Sequence, residues 1–444
     1  MRIISVAIKD LFGKFNYSIN VNNDITIIHG PNGCGKTTVL RIIDSVFNGK
    51  LDSLRGIDFS DVTFTFDDET VLQVIRKKLT FANSKTNDDF YALAYCLTIN
   101  GQERFFDAFE KLENVDFIST YFQRHRVAPF IDRISEDLWI DRRDDIKMTT
   151  EELISKYGHI MMRRIDNAFD DITPKEVQAI LSMINIKFIS SDRLTVQKKV
   201  ERQYGEDGLK IEQRVDVIAQ SISKLIKESI QKYAQISQSK DRTFPLRVIK
   251  ETNPLSIEQI KSRLIELENK RKELVDNGIL EEENDIDMHE LFESITAENR
   301  SNLSLYAIDT EAKLNVLTEI SNAINLFRTL IENDFANKRI IFSKDEGFVF
   351  VTDYSHKVIK PSSLSSGEQH ELVMFYDLIF ETTQNTLILI DEPELSLHIK
   401  WQLEYIAELR KIIGLSHFHT LIATHSPQII HDNWDITISL AEEE

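Results

Sequence analysis

Residues 30 to 38 read GPNGCGKTT, set between the apolar-alternating DITIIH and VLRIIDSVF, whose apolar residues recur at helical spacing. A strand, a glycine-rich turn and a helix start in that order aim backbone N–H groups and the positive end of a helix at one point, which makes a cradle for a phosphate chain. Gly30, Gly33 and Gly35 let the backbone bend and come close, Lys36 would reach the outer phosphates, and the Thr37 hydroxyl suits a Mg²⁺ ion. The helix that follows puts Val39, Ile42, Ile43 and Val46 on one face and stops at Asn48-Gly49. Chance would supply the fixed positions of this motif in roughly 2% of chains of this length. The chain has only 14 glycines, so their concentration between 30 and 35 makes coincidence a poor account.

Composition narrows the class. A chain of 444 residues suffices for two or three domains. Its 42% hydrophobic content is that of a globular protein. No apolar run approaches the roughly 18 residues that span a bilayer, and MRIISVAIKDL alternates like a strand without the features of a leader. The expectation is a protein with no membrane segment. Cys34 and Cys96 form no CxxC pair, which fits a reducing cytoplasm. The net charge of −19 argues against a surface that binds nucleic acid everywhere. FQRHR at 122–126 and MMRR at 161–164 are the local basic candidates, and the plainer reading of both is a solvated face.

Phosphate binding alone does not choose among kinases, GTPases, helicases and transporter subunits. The last quarter of the chain carries three further segments. LSSGEQH, 364–370, opens an amphipathic helix (Leu372, Val373, Phe375, Leu378, Ile379) and reads either as a second anion site or as a plain helix cap. TLILIDEPELSLH, 386–398, is a buried strand ending in two consecutive acids, costly unless a cation or a reaction uses them. There Asp391 is placed for Mg²⁺ and Glu392 to polarise an attacking water. HTLIATHSPQII, 419–430, is another buried strand, ending in Thr424, His425 and Ser426. A lone histidine there is commonly structural; after two phosphate-chemistry segments His425 reads as a γ-phosphate sensor.

With these residues in view, the chain resembles the ABC-type ATPase heads of the SMC and RecF kind. GPNGCGKT matches the Walker A motif, LSSGEQ the signature motif usually written LSGGQ, LILIDE the Walker B motif with its catalytic glutamate, PELSLH the D-loop and His425 the switch histidine. Ser366 stands where the family often has glycine, and LHIK where relatives often have LHP. The resemblance implies an α/β fold: a P-loop ABC-type ATPase head, a mixed or parallel sheet flanked by helices, with a large helical insertion. It implies an N-terminal lobe at 1–77, a mainly helical insertion at 78–335 and a C-terminal lobe at 336–444. It also implies ATP with Mg²⁺. Asn32, Gly33, Cys34, Gly35, Lys36, Thr37 and Thr38 would bind ATP, with Ser365, Ser366, Gly367 and Glu368 contributed in trans by a second copy. Thr37 and Asp391 would hold Mg²⁺, and Glu392 and His425 would be catalytic. Two heads would then sandwich two ATP molecules.

DEPELSLH near a short C-terminus looks most like the stand-alone ATPases of anti-phage systems, those of the PARIS and Septu type being closest in size and motif spacing. That implies a cytoplasmic switch, a homodimer compatible with higher assembly, controlling a separate nuclease or toxin in response to a phage-encoded trigger. The rival implication is a RecF- or SMC-like ATPase that repairs or clamps DNA, so nucleic-acid binding stays open. A transporter subunit fits less well with the long insertion. Residues 426–444 alone follow His425, so an appended TOPRIM-type nuclease is not expected. Gln102 and Gln123 are both candidates for the Q-loop, and Phe12 and Phe15 for stacking on adenine.

The middle reads as helices broken by INIKFISSDR, 184–193, whose strand near 184–191 is expected to return to the core sheet. Arg193 at its end reads as a surface arginine, or else as one facing the nucleotide or a neighbouring subunit. Residues 257–274 carry Ile257, Ile260, Leu264, Leu267 and Leu274 at heptad spacing, enough for a short helical hairpin or a dimer contact. EEENDIDMHE after it reads as a solvated linker. KRIIFSKDEGFVFVTD suggests a hairpin turning near Glu346-Gly347.

Overall fold

The computed structural model describes residues 1–21, 23–50, 53–54, 56–79, 90–107, 130–135, 137–150, 152–153, 156–157, 173–201, 207–250, 254–282, 288–395 and 397–440. FQRHR with Gln123, MMRR, and residues 283–287 of the acidic run lie outside them. The chain divides into two compact units. One comprises Met1–Ser191, Thr382–Leu395 and Ser416–Glu444; the other comprises Asp192–Glu381 and Ser396–Leu415.

In the first unit, the near-continuous apolar runs ITIIH, LILID and HTLIAT form a parallel sheet buried on both faces, as such runs require. Its order is Ile186–Ile189, Leu387–Asp391, His419–Thr424, Ile25–His29, Thr437–Ser439, and every neighbouring pair is parallel. The register pairs Asp391 with Ala423 and Thr424 with His29, so these strands end together at one carboxyl edge. A second, antiparallel sheet runs Phe15–Asn20, Ile3–Leu11, Asp61–Phe66, Val71–Leu79, Phe90–Ile99, Gln102–Asp107. The Lys36–Phe47 helix packs against both sheets. Its Val39, Ile42 and Ile43 join the shared core, and Phe47 meets Phe64 edge-on at 5.0 Å.

The insertion expected to be mainly helical from residue 78 is helical in its later part, but its earlier described segments are mostly strands. Phe90–Ile99, Gln102–Asp107, Ile131–Ser135, Leu138–Asp141 and Ile146–Thr149 are strands, as is the pair Thr195–Glu201 and Asp207–Gln213. Leu93, Tyr95 and Leu97 alternate into the core at period two. Asn100-Gly101, both at positive φ (51° and 73°), closes the two-residue hairpin between Ile99 and Gln102. Asn-Gly is the strongest short hairpin signal, because that turn needs positive φ at both positions.

The second unit holds the longest helices. Arg214–Lys250 and Ile257–Asp276 each pack against Arg300–Asn315. Ile257–Asp276 starts at a capping box made by Ser256 and Gln259 and buries Ile260, Leu264, Leu267 and Leu274. Lys338–Ser343 and Gly347–Thr352 form an antiparallel hairpin. Gly347 is required: at φ 73° it passes the long helix so closely that a Cβ would sit 1.8 Å from the Ala219 carbonyl oxygen. Among the described residues no helix is long and apolar enough to cross a membrane.

Candidate nucleotide site

The glycine-rich loop lies at the carboxyl edge of the parallel sheet, where open α/β sheets place ligands. Gly33 and Gly35 stand at φ 85° and 93°. At Gly35 a Cβ would come within 2.8 Å of Leu11 Cδ2 and 3.2 Å of Phe12 Cε2, so only glycine fits beside the neighbouring strand end. Gly35 also starts the Lys36–Phe47 helix with no side-chain cap and no acid in its first turn, which leaves the helix N–H groups for a ligand. Asn32 is exposed, Thr37 and Thr38 are half-buried, and Cys34 points its side chain into the core. Cys34 therefore serves the loop through its backbone, and Tyr17 Oη donates to its carbonyl at 2.7 Å.

The glycine-rich loop, the strand end at Asp391-Glu392 and the strand end before His425 meet at this edge. Thr37 Oγ1 donates to Asp391 Oδ1 at 2.8 Å. Lys36 Nζ donates to the Gly30 and Pro31 carbonyls at 2.9 and 3.0 Å and lies 3.2 Å from His425 Nδ1. His425 Nε2 is 3.6 Å from Glu392 Oε1. Burial raises the pKa of Asp391, opposed by the Thr37 hydrogen bond and by Arg41 and Lys36. Glu392 itself takes a left-handed φ of 46°, costing about 1–3 kcal/mol of backbone strain. Its N–H donates to the Ala423 carbonyl at 2.9 Å, which holds it in that conformation.

Glu394 joins these residues without being singled out by the sequence motifs. Its Oε1 accepts the N–H groups of His425 at 2.7 Å and Ser426 at 3.2 Å, fixing the turn that presents the histidine. The signal was there in DEPE, a third acid two residues past Glu392, and it was absorbed into the D-loop. Of the stacking candidates, Phe15 lies flat on Tyr17 at 5.8 Å, while Phe12 is 46% exposed beside Gly35. Gln102 is an exposed residue at a hairpin start and takes no part in the contacts of the site.

The LSSGEQ segment belongs to the second unit. Ser365 is the N-cap of Ser366–Ile379 in a reciprocal capping box with Glu368. Ser365 and Ser366 are exposed, Gly367 is half-buried and Glu368 is buried. Glu368 Oε1 pairs with Lys338 Nζ at 2.5 Å and its Oε2 accepts from the Ser365 N–H at 3.0 Å. Burial works against its charge, but these partners win and hold its pKa below the usual range. Glu368 thus orders the helix start, and the exposed groups there are those of Ser365 and Ser366. Arg193, read as a surface arginine, is instead buried and donates from Nε to His370 Nδ1 at 3.2 Å. A position just past a strand end gave no hint of that burial.

Fold and site define a P-loop ATPase, with a lysine and a hydroxyl at the loop and an acid pair at the end of another strand of the same sheet. The chain belongs to the AAA ATPase domain family, whose model matches residues 1–430. Among solved structures, the Smc head domain of Pyrococcus furiosus with an extended coiled coil, bound to the C-terminal domain of ScpA, is 13% identical. That match covers 97% of this chain and 91% of the other at a TM-score of 0.35. The SMC head domain from Thermotoga maritima is 12% identical over 97% of this chain and 91% of that one, with a TM-score of 0.32. No curated protein matches.

Proposed function

We propose that this chain is an ATP-driven dimerisation switch. Two copies close around ATP, each giving the GPNGCGKTT loop on one side and the Ser365–Glu368 helix start on the other. The observation that supports this most is the meeting of Thr37 with Asp391, of Lys36 with His425 and of His425 with Glu392 at one sheet edge. In the other unit, Ser365 and Ser366 stand exposed at a helix start of their own.

The residues fit Mg²⁺-ATP: an uncapped helix start for anionic oxygens, a lysine that donates into loop carbonyls and has no carboxylate among the described residues as a hydrogen-bond partner, and a hydroxyl beside a buried carboxylate. When bound, Mg²⁺-ATP supplies the anhydride bond whose cleavage drives the cycle. Thr37 Oγ1 and Asp391 would hold the ion, and Lys36 would leave the Gly30 and Pro31 carbonyls for the phosphates. Glu392 orients a water and accepts its proton. His425 steadies that carboxylate, and Glu394 steadies His425. ATP shifts the population toward the closed pair by its differential affinity for that state.

In the cell, on this reading, the switch sits in the cytoplasm in an anti-phage complex, as a homodimer or a larger assembly. There it restrains or activates a separate nuclease or toxin when a phage-encoded trigger arrives. The motif pattern DEPELSLH supports this assignment. A DNA-clamping role of the RecF or SMC kind is the rival, and a charge of −19 speaks against it. DNA binding that weakens steeply with salt would favour the rival. The shared-site reading is tested by mixing Lys36→Ala and Gly367→Glu proteins, each inactive alone. Mixed dimers should recover part of the ATPase rate through one intact composite site, and mixed dimers that stay inactive would sink the reading.

A further inference from the structure

Among the described residues, one cluster of buried carboxylates stands apart from the candidate nucleotide site. Asp334 ends the helix Thr318–Asp334, Glu371 lies in the helix Ser366–Ile379 that opens at the signature segment, and Glu408 lies in Ile399–Ser416, which follows the D-loop. All three are buried, at 8%, 1% and 3% exposure, and one carboxylate oxygen from each lies within 4.8 Å of the others. Clustering alone would carry little. However, no hydroxyl, amide or basic group among the described residues hydrogen-bonds the buried Asp334 oxygens or Glu371 Oε2, and the partner that Asp334 and Glu371 have is each other, a pairing that needs a shared proton. The nearby basic side chains do not answer them. Lys338 is taken by Glu368, and Lys400 and Lys411 act only from a distance.

We propose that Asp334, Glu371 and Glu408 bind a hard divalent cation, separate from any ion at the nucleotide, that ties the signature helix to the helix after the D-loop. An ion that bonds oxygen at about 2.0–2.6 Å can touch all three carboxylates at their present spacing, with at most small side-chain shifts. The all-oxygen donor set selects Ca²⁺, Mg²⁺ or Mn²⁺ over Zn²⁺ or Cu²⁺. Asp334 is the last residue of its helix, where the carbonyl ends add negative potential and favour a cation further. It also lines a cavity of about 640 Å³ bordered by Lys338, Lys400 and Trp401, which gives an ion a way in. Without a counter-ion the charges are costly: lost hydration and then neighbouring carboxylates push Glu371 up to about 11 and Glu408 up to about 8.

The rival is a cluster that keeps its protons and binds nothing. Mn²⁺ titration followed by electron paramagnetic resonance separates the two, using nucleotide-free full chain in an Asp391→Asn background so that the ATP site is silent. The proposal expects one Mn²⁺ per chain, displaced by Ca²⁺, and a melting temperature raised by Mn²⁺. Glu371→Gln should weaken that binding by more than about tenfold, since losing even a supporting partner of a metal site costs about 10–100-fold. It should also abolish the melting shift. Asp334→Asn repeats the test on a different helix, should one variant fold poorly. Absence of nucleotide-independent Mn²⁺ in the parent would overturn the site, as would equal binding by folded Glu371→Gln or Asp334→Asn protein.

Discussion

Two groups of buried acids, one in each unit, differ in a single respect. At the sheet edge, Asp391 is 4% exposed and has a hydroxyl at 2.8 Å, with Lys36 and Arg41 acting on its charge. In the helical unit, Asp334 and Glu371 are as deeply buried, yet no hydroxyl or basic group among the described residues hydrogen-bonds three of their oxygens, and the two acids face each other. Burial alone therefore does not say what an acid is for. A carboxylate with a hydroxyl and basic groups around it is already organised to receive a metal–phosphate group. One that faces other buried carboxylates must take up a proton or an ion to offset the cost of leaving water.

The contrast can be broken first at Asp391. Asp391→Asn keeps the shape and the acceptor for Thr37 but removes the charge, so the ATPase rate should fall by about 100-fold or more while the melting temperature changes little. A rate within a few-fold of the parent would show that this acid is no more functional than a structural one. A smaller effect sharpens the contrast inside the helical unit. Asp309 is also buried there, but Arg247 grips it with both terminal nitrogens at 2.5 Å and Lys240 stands 3.4 Å away. Burial opposes its charge, yet those partners hold its pKa below the ordinary 3.8. A depressed folded pKa stabilises the fold above the unfolded value and loses that contribution as pH falls through the folded one. Asp309→Asn should cost about 1.5–3 kcal/mol at pH 7, the usual loss for a charged hydrogen bond. That cost should shrink below pH 4, as measured by urea unfolding across pH. A cost independent of pH would mean that charge plays no part in this pair.

The site was largely legible in the sequence because its parts are contiguous. A glycine-rich loop, an aliphatic strand ending in Asp391-Glu392 and another ending near His425 each carry their chemistry within about a dozen residues, and strict apolar runs mark them as buried strands. The strand at Ile186–Ile189 showed in the same way, and it lies beside Leu387–Asp391. Residues 90–107 did not, although Asn100-Gly101 and the alternation of Leu93, Tyr95 and Leu97 pointed to a hairpin; a low proline content was read as helix instead. Glu394 was hidden because its partners are backbone N–H groups on a distant segment. The buried acids were illegible for a like reason. Each reads as an ordinary solvated charge on an amphipathic helix, and only the packing of three helices brings them together.

The central claim, an ATP-closed dimer reset by Glu392, is tested most directly by sedimentation of Glu392→Gln protein with and without Mg²⁺-ATP. A monomer that becomes a stable dimer with ATP, while hydrolysing it at least about 100-fold more slowly than the parent, is the expected result. A variant that binds ATP yet stays monomeric, or one that turns over near the parental rate, would contradict it.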